Sequence, residues 1–160
     1  MVKLEKVKKE YKDFELDCSI EIKEGWITGL VGQNGAGKST AFKAMLGLIR
    51  SDSGKIEILG KTPELLGKEE REQIGVVMAG SGFNGYLSIN DLIPIFDAMY
   101  QKFDKAWFLK ECEKFKLPLK KKIKEFSTGM NRKLQILAAL SHDAKLLILD
   151  VNWCNKIACI

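Results

Sequence analysis

No apolar run in this 160-residue chain approaches the about 18 to 20 residues that cross a bilayer, and the opening Met1-Val2-Lys3-Leu4-Glu5-Lys6 carries no apolar signal core. The pattern predicts a soluble chain without an export signal. Histidine occurs once, at His142, and the four cysteines (Cys18, Cys112, Cys154, Cys159) form no C-x-x-C pair. A zinc-type site is therefore not expected, and free thiols in a reducing compartment are. Neither sign of charge dominates: 26 lysines and arginines face 21 carboxylates, and the net +5 is spread along the chain, so a nucleic-acid partner is not expected. Internal repeats and low-complexity segments are lacking as well. What is present is a 46% hydrophobic chain long enough to bury the core of one domain and too short for two full ones.

The chain is organised around residues 32–40, Gly-Gln-Asn-Gly-Ala-Gly-Lys-Ser-Thr, which fill the phosphate-loop pattern G-x-x-x-x-G-K-[ST] at every position. Gly32, Gly35 and Gly37 let the backbone wrap with its N–H groups turned inward, and Gln33, Asn34, Ala36 and Thr40 complete the cradle. Lys38 adds a positive charge near the terminal phosphates, and the Ser39 hydroxyl suits Mg²⁺. The flanks agree: residues 26–31 read as a buried strand and residues 41–49 as a helix whose N-terminal dipole faces the anion. This stretch predicts binding of a nucleoside triphosphate.

Upstream, Phe14, Leu16, Cys18, Ile20 and Ile22 alternate with polar residues as in a half-buried strand. Val2, Leu4 and Val7 offer a partner strand, with Tyr11 expected in the connection, and residues 55–60 alternate again, so a small antiparallel sheet is predicted. Residues 74–78 read as a buried parallel strand. Ser88 and Asp91 form a capping-box start to a helix over 89–100, in which Pro94 is tolerable only within the first turns. Asp104 is suited to cap a helix carrying Trp107, Phe108, Cys112 and Phe115, aromatics expected in the core. The run Lys120-Lys121-Lys122-Ile123-Lys124 reads as a solvated face or loop. Ser127 is suited to cap a helix with Met130, Leu134, Leu137, Ala138 and Ser141 on one face, and His142 reads as a loop residue after it. An apolar strand, residues 146–149, then delivers Asp150, placed to hold a Mg²⁺-bound water.

In this order the motifs resemble the ATP-binding subunit of an ABC transporter. Phe126-Ser127-Thr128-Gly129-Met130 is similar to that family's signature motif, Gly129 stands 21 residues before Asp150, and residues 146–150 look like its Walker B strand. The resemblance implies an α/β fold: a P-loop NTPase (RecA-like) core with an N-terminal antiparallel β-subdomain and a helical subdomain over about 84–128. Residues 1–150 would form the nucleotide-binding domain. It implies ATP and Mg²⁺ as ligands, Tyr11 stacking on adenine, Lys38 and Asp150 as the catalytic groups, and Ser39 with Asp150 at the metal. It further implies that Ser127 and Gly129 face the ATP held by a second nucleotide-binding subunit, in a homo- or heterodimer. Membrane-spanning permease subunits would be the partners, placing the chain in the cytoplasm on the inner face of the membrane. Met130 and the stretch after Met78 look like exporter branches.

The resemblance also marks departures. Val151 stands where the family has a glutamate acting on the attacking water, and valine cannot accept a proton. Ala79 stands where a loop glutamine is usual. The family's later histidine does not occur, His142 preceding the Walker B strand, and residues 151–160 match no family motif. Truncation or a frameshift after Asp150, with the C-terminal part of the core missing, is the expectation drawn here. Two alternatives follow: a nucleotide-binding fragment that binds without turnover, and a soluble ABC protein acting on nucleic acid or ribosomes, which would normally carry paired domains.

Overall fold

The computed structural model describes residues 2–33, 35–80, 82–153 and 157–159, with the backbone alone from residue 151 onward. The chain divides into two compact units, Met1–Arg71 with Ile148–Ile160, and Glu72–Leu147. Each is described by itself.

The first unit opens with β1 (Val2–Tyr11) and β2 (Phe14–Ile22), followed by β3 (Gly29–Val31), α1 (Lys38–Met45), β4 (Ser53–Ile58) and the single turn α2 (Lys68–Arg71). The predicted antiparallel sheet is present in the order β2-β1-β4. Alternation puts Val2, Leu4, Val7, Leu16, Ile22, Ile56 and Ile58 on its buried side, and α1 packs on β2 and β4 with Ala41, Phe42, Ala44 and Met45 buried. Burial at this level is worth about 1.5–3 kcal/mol for each large side chain. A bulge interrupts β1: the register shifts on both sides of Lys6, whose φ is +48° and whose N–H donates to the Ser19 hydroxyl at 2.9 Å.

Three expectations for this unit need correction. Tyr11 is the last residue of β1 and pairs with Phe14 across a two-residue turn, Lys12-Asp13, rather than lying in the connection. The strand before the phosphate loop is only three residues, and Trp26, Ile27 and Val31 are 72%, 87% and 70% exposed rather than buried. The helix begins at Lys38 and ends at Met45, because Gly47 turns left-handed (φ +68°) close to Pro63 and cannot continue it.

The second unit holds β5 (Ile74–Val77), α3 (Ile89–Met99), α4 (Lys105–Lys114) and α5 (Thr128–Leu140). All three helix starts follow the predicted caps: Ser88 and Asp91 form the reciprocal capping box of α3, Asp104 accepts from Trp107 N–H at 2.8 Å, and Ser127 accepts from Met130 N–H at 3.2 Å. Pro94 sits in the second turn of α3, where its missing N–H leaves the carbonyl one turn back without that bond. The core gathers around Phe96, which meets Phe83, Phe103 and Phe108 edge-on or tilted at 5.5–5.7 Å between ring centroids. Phe108 and Cys112 are fully buried as expected. Phe115 is not: it is 40% exposed, with the ammonium groups of Lys114 and Lys133 over its ring. Helix α5 lies so close to β5 that a Cβ at Gly75 would come within 2.4 Å of the Ala139 carbonyl oxygen.

His142 lies in the turn after α5, as its loop reading expected, but it is not a solvated residue. It is buried, stacks on Tyr100 at 4.1 Å with planes 10° apart, and places Nδ1 at 3.1 Å from the Ala138 carbonyl. It thereby ties the end of α3 to the end of α5. Next, β6 (Leu146–Trp153) starts in this unit, where Lys145 and Leu146 N–H both donate to the Gln73 carbonyl, and runs into the first unit past Asp150. There β7 (Ile157–Cys159) pairs antiparallel with both β6 and β3.

Burial sets cysteine reactivity. It pushes the Cys112 thiol up to about 11, and it raises half-buried Cys18 as well, helped by the neighbouring Asp17 charge. Labelling with iodoacetamide at pH 8, read site by site by mass spectrometry, is expected to modify Cys18 at least ~10-fold faster than Cys112, which must await local unfolding. Equal rates would show that the α4 core opens freely.

Candidate functional site: a phosphate cradle built on helix α1

The loop before α1 owes its shape to two glycines in the left-handed region, Gly35 (φ +84°) and Gly37 (φ +83°). Gly37 is the N-cap of α1 and makes no side-chain cap bond, and the first turn of the helix contains no acidic residue. Its orphan N–H groups and the positive end of the dipole thus face the loop mouth uncompensated, which favours an anion there. Lys38 lies across the same mouth, donating to the Gly32 and Gln33 carbonyls at 2.7 Å each. An ammonium has three donors, so one remains for an anion.

Asp150 reaches this point from the other side. It is 3% exposed, carried by β6, and its Oδ2 accepts the Ser39 hydroxyl at 2.7 Å although the two residues are 111 apart in sequence. A cavity of about 250 Å³ opens beside them, lined by Phe14, Gly35, Gly37, Lys38, Ser39, Thr40 and Asp150. Ala36 lines a neighbouring cavity against Leu16 and Leu30. Asn34 lies outside the described residues.

The geometry therefore brings together the loop, Lys38, Ser39, Thr40 and Asp150. Tyr11 is close by through Phe14, its ring centroid 6.2 Å away, but the cavity wall itself is Phe14. Asp52 holds the hairpin tip: it accepts from Lys9 Nζ at 2.6 Å and from Glu10 N–H at 2.8 Å, contacts that lower its carboxyl pKa, the lysine foremost. Phe14 is the functional candidate that sequence reading missed. Its signal was the two-residue turn, since residues paired across a hairpin share a face.

A family model described as ABC transporter matches residues 16–151. The chain belongs to the ABC transporter family. Among curated relatives, it is 36% identical over 134 residues to the bacitracin transport ATP-binding protein BcrA of Bacillus licheniformis, covering 82% of this chain and 44% of that protein. It is 34% identical over 160 residues to the linearmycin resistance ATP-binding protein LnrL of Bacillus subtilis, covering 94% and 50%. It is also 32% identical to a ribose import ATP-binding protein, RbsA of Bacillus licheniformis, covering 82% and 29%. The chain spans half or less of the length of these relatives. Among solved structures, the ATP-binding subunit of an ABC transporter superposes with a TM-score of 0.72 at 22% identity, over 92% of this chain and 64% of that one. A dimeric ATP-binding cassette in a post-hydrolysis state with ADP and Pi does so with the same TM-score and identity, over 92% and 72%. At that identity the likeness shows the fold alone: the mixed α/β core of the ATP-binding domains of this family, with an antiparallel β-sheet.

Within this ABC domain the donor set near the loop is oxygen only, the Ser39 hydroxyl and the Asp150 carboxylate, and among the described residues no cluster of three or more His, Cys, Asp or Glu side chains is present. Two hard oxygens beside a phosphate cradle fit Mg²⁺, which keeps most of its shell as water and phosphate oxygens. Ser127 and Gly129, the residues expected to face a second subunit's ATP, belong to the second unit and are exposed. A Cβ at Gly129 would meet only the Ser127 hydroxyl, 4.0 Å away, so packing within the chain does not demand glycine there. Among the described residues no helix is long and apolar enough to cross a membrane.

Proposed function

We propose that this chain is an ATP-binding subunit of an ABC exporter, working as a dimer on the inner face of the membrane with permease subunits. One observation carries the nucleotide reading: the Ser39–Asp150 hydrogen bond, which joins the helix start after the loop to the carboxylate of β6 beside a cavity of about 250 Å³. The nine loop residues, Gly32 to Thr40 in the motif, take the phosphates, Lys38 supplies charge to the terminal ones, and Tyr11 receives the base. Ser39 and Asp150 would hold Mg²⁺, which when bound neutralises phosphate charge. We assign residues 1–150 to the nucleotide-binding domain, with its helical part over about 84–128. Ser127 and Gly129 would face the nucleotide of a second subunit. The room at Gly129 supports this, because it leaves space for an incoming phosphate oxygen rather than for a neighbour in its own chain. The export direction draws support from the printed functions of the bacitracin and linearmycin relatives, against which stands the ribose import relative.

A second reading, binding without turnover, is favoured by Val151 directly after Asp150. Calorimetric titration of the purified chain with Mg-ATP, with phosphate release followed in the same samples, tests both. Saturable binding is expected; release of phosphate selects the ATPase, and its absence selects the binder. A folded chain, by circular dichroism, that takes up no Mg-ATP would sink the proposal.

A further inference from the structure

Residues 114–124, Lys-Phe-Lys-Leu-Pro-Leu-Lys-Lys-Lys-Ile-Lys, hold six lysines and no carboxylate. The fold gives this run a fixed surface. Leu117 and Ile123 are buried in the core of the second unit, while Lys116, Lys120, Lys121, Lys122 and Lys124 are all exposed. Residues 119–124 run along residues 85–90: the Leu119 carbonyl accepts Asn90 N–H at 3.1 Å, and Ile123 and Lys124 N–H donate to the Leu87 and Gly85 carbonyls at 2.9 Å each. Tyr86, 72% exposed, is thereby brought into the basic run, with the Lys124 ammonium 4.6 Å from its ring centroid. Compensation is thin. Lys122 stands 3.6 Å from Asp91 and Lys121 4.0 Å from Glu125, and among the described residues no carboxylate pairs with Lys116, Lys120 or Lys124.

We infer that this lysine face docks directly on the anionic headgroups of a lipid bilayer, with Tyr86 entering the headgroup layer. Each lysine brought close to an anionic membrane surface strengthens binding about fivefold, and lysines held on one face act together. Tyrosine favours the same layer, because its ring is apolar and its hydroxyl stays wet. A nucleic acid suits the face less well. Single strands are gripped by stacking bases on open ring faces, and one face of Tyr86 lies under the Lys124 ammonium. The inference rests on the reading of this chain as one that works at the inner face of the membrane, and it adds to the permease contact a direct contact with lipid.

Co-sedimentation of the full chain with vesicles tests it, with Mg-ATP binding followed by calorimetry on the same preparations. Vesicles of neutral phosphatidylcholine are compared with vesicles that also carry about 30% phosphatidylglycerol, and the anionic ones are expected to bind at least ~10-fold more tightly. Lys120→Gln combined with Lys124→Gln removes two charges that no carboxylate offsets and should weaken that binding ~10-fold or more. Lys23→Gln combined with Lys43→Gln makes the same change in net charge at exposed positions of the first unit and should stay within about threefold. Tyr86→Ser should cost about threefold by itself. Equal losses in the two double variants would overturn the inference, since net charge alone would then be at work. So would equal binding to neutral and anionic vesicles, or a Lys120/Lys124 variant that binds like wild type. A single-stranded RNA that binds wild type more tightly than the anionic vesicles do, and is lost with the same two lysines, overturns the lipid assignment in favour of nucleic acid. A chain that takes up Mg-ATP but no vesicles loses this inference and keeps the nucleotide reading; one that takes up neither loses both.

Discussion

Replacing Lys38 by alanine is expected to weaken Mg-ATP binding at least ~100-fold, a loss of about 2.7 kcal/mol, without unfolding the chain. The size follows from what the ammonium does. It is held across the loop mouth by the Gly32 and Gln33 carbonyls, each at 2.7 Å, so its remaining donor is already aimed when an anion arrives. Charge-assisted hydrogen bonds to phosphate are roughly twice as strong as neutral ones, and here the helix dipole and the lysine act on the same anion. Folding should suffer little, because Lys38 is only part-buried and its two bonds close a local loop. Calorimetry with a parallel thermal melt reads both quantities. Affinity within threefold of wild type would mean that the loop does not hold the phosphates.

The largest loss of stability is expected at Gly54, where alanine should cost more than about 3 kcal/mol. Two penalties coincide there. Its φ of +86° lies in the left-handed region, and a Cβ would stand 2.3 Å from the Lys6 carbonyl oxygen and 2.6 Å from Val7 Cα. Those atoms are backbone, at the bulge of β1, and the bulge is fixed by the Lys6 N–H bond to Ser19 and by pairing on both flanks. The sheet can relieve the clash only by parting β1 from β4. Gly25→Ala is the control: φ is +76° but nothing lies within 4 Å of its Cβ, so only the conformational term of about 1 kcal/mol applies. Urea unfolding of the two variants separates them. Equal midpoints would show that β1 and β4 are not clamped at Lys6.

Motifs that act locally could be read without the fold. Ser88, Asp104 and Ser127 cap the helices that their spacing to the next apolar face announced, because a cap bonds only to N–H groups two or three residues on. The same holds for the antiparallel sheet, whose period of two is written in Phe14 to Ile22. Errors came where the environment is not local. Trp26 and Ile27 look like core by composition and stand exposed, and Phe115 has helical spacing for the core yet presents its ring to two lysines; the burial of His142 against Tyr100, in a turn where the sequence put a loop, had no local signal. Each outcome depends on which element lies across from the residue, and helical or strand periodicity states only which face it is on.

By itself the sequence determined the family, the phosphate loop and the candidate metal oxygens, since a cradle of backbone N–H groups needs glycine, lysine and a hydroxyl at fixed spacing along one stretch of chain. Only the tertiary structure decided that the Ser39 hydroxyl meets Asp150 at 2.7 Å across 111 residues, that Gly54 must yield to the Lys6 bulge, and that Phe14 walls the cavity. Those are contacts between segments distant in sequence, and they exist because sheet register and helix packing, not local propensity, choose which atoms come into van der Waals reach.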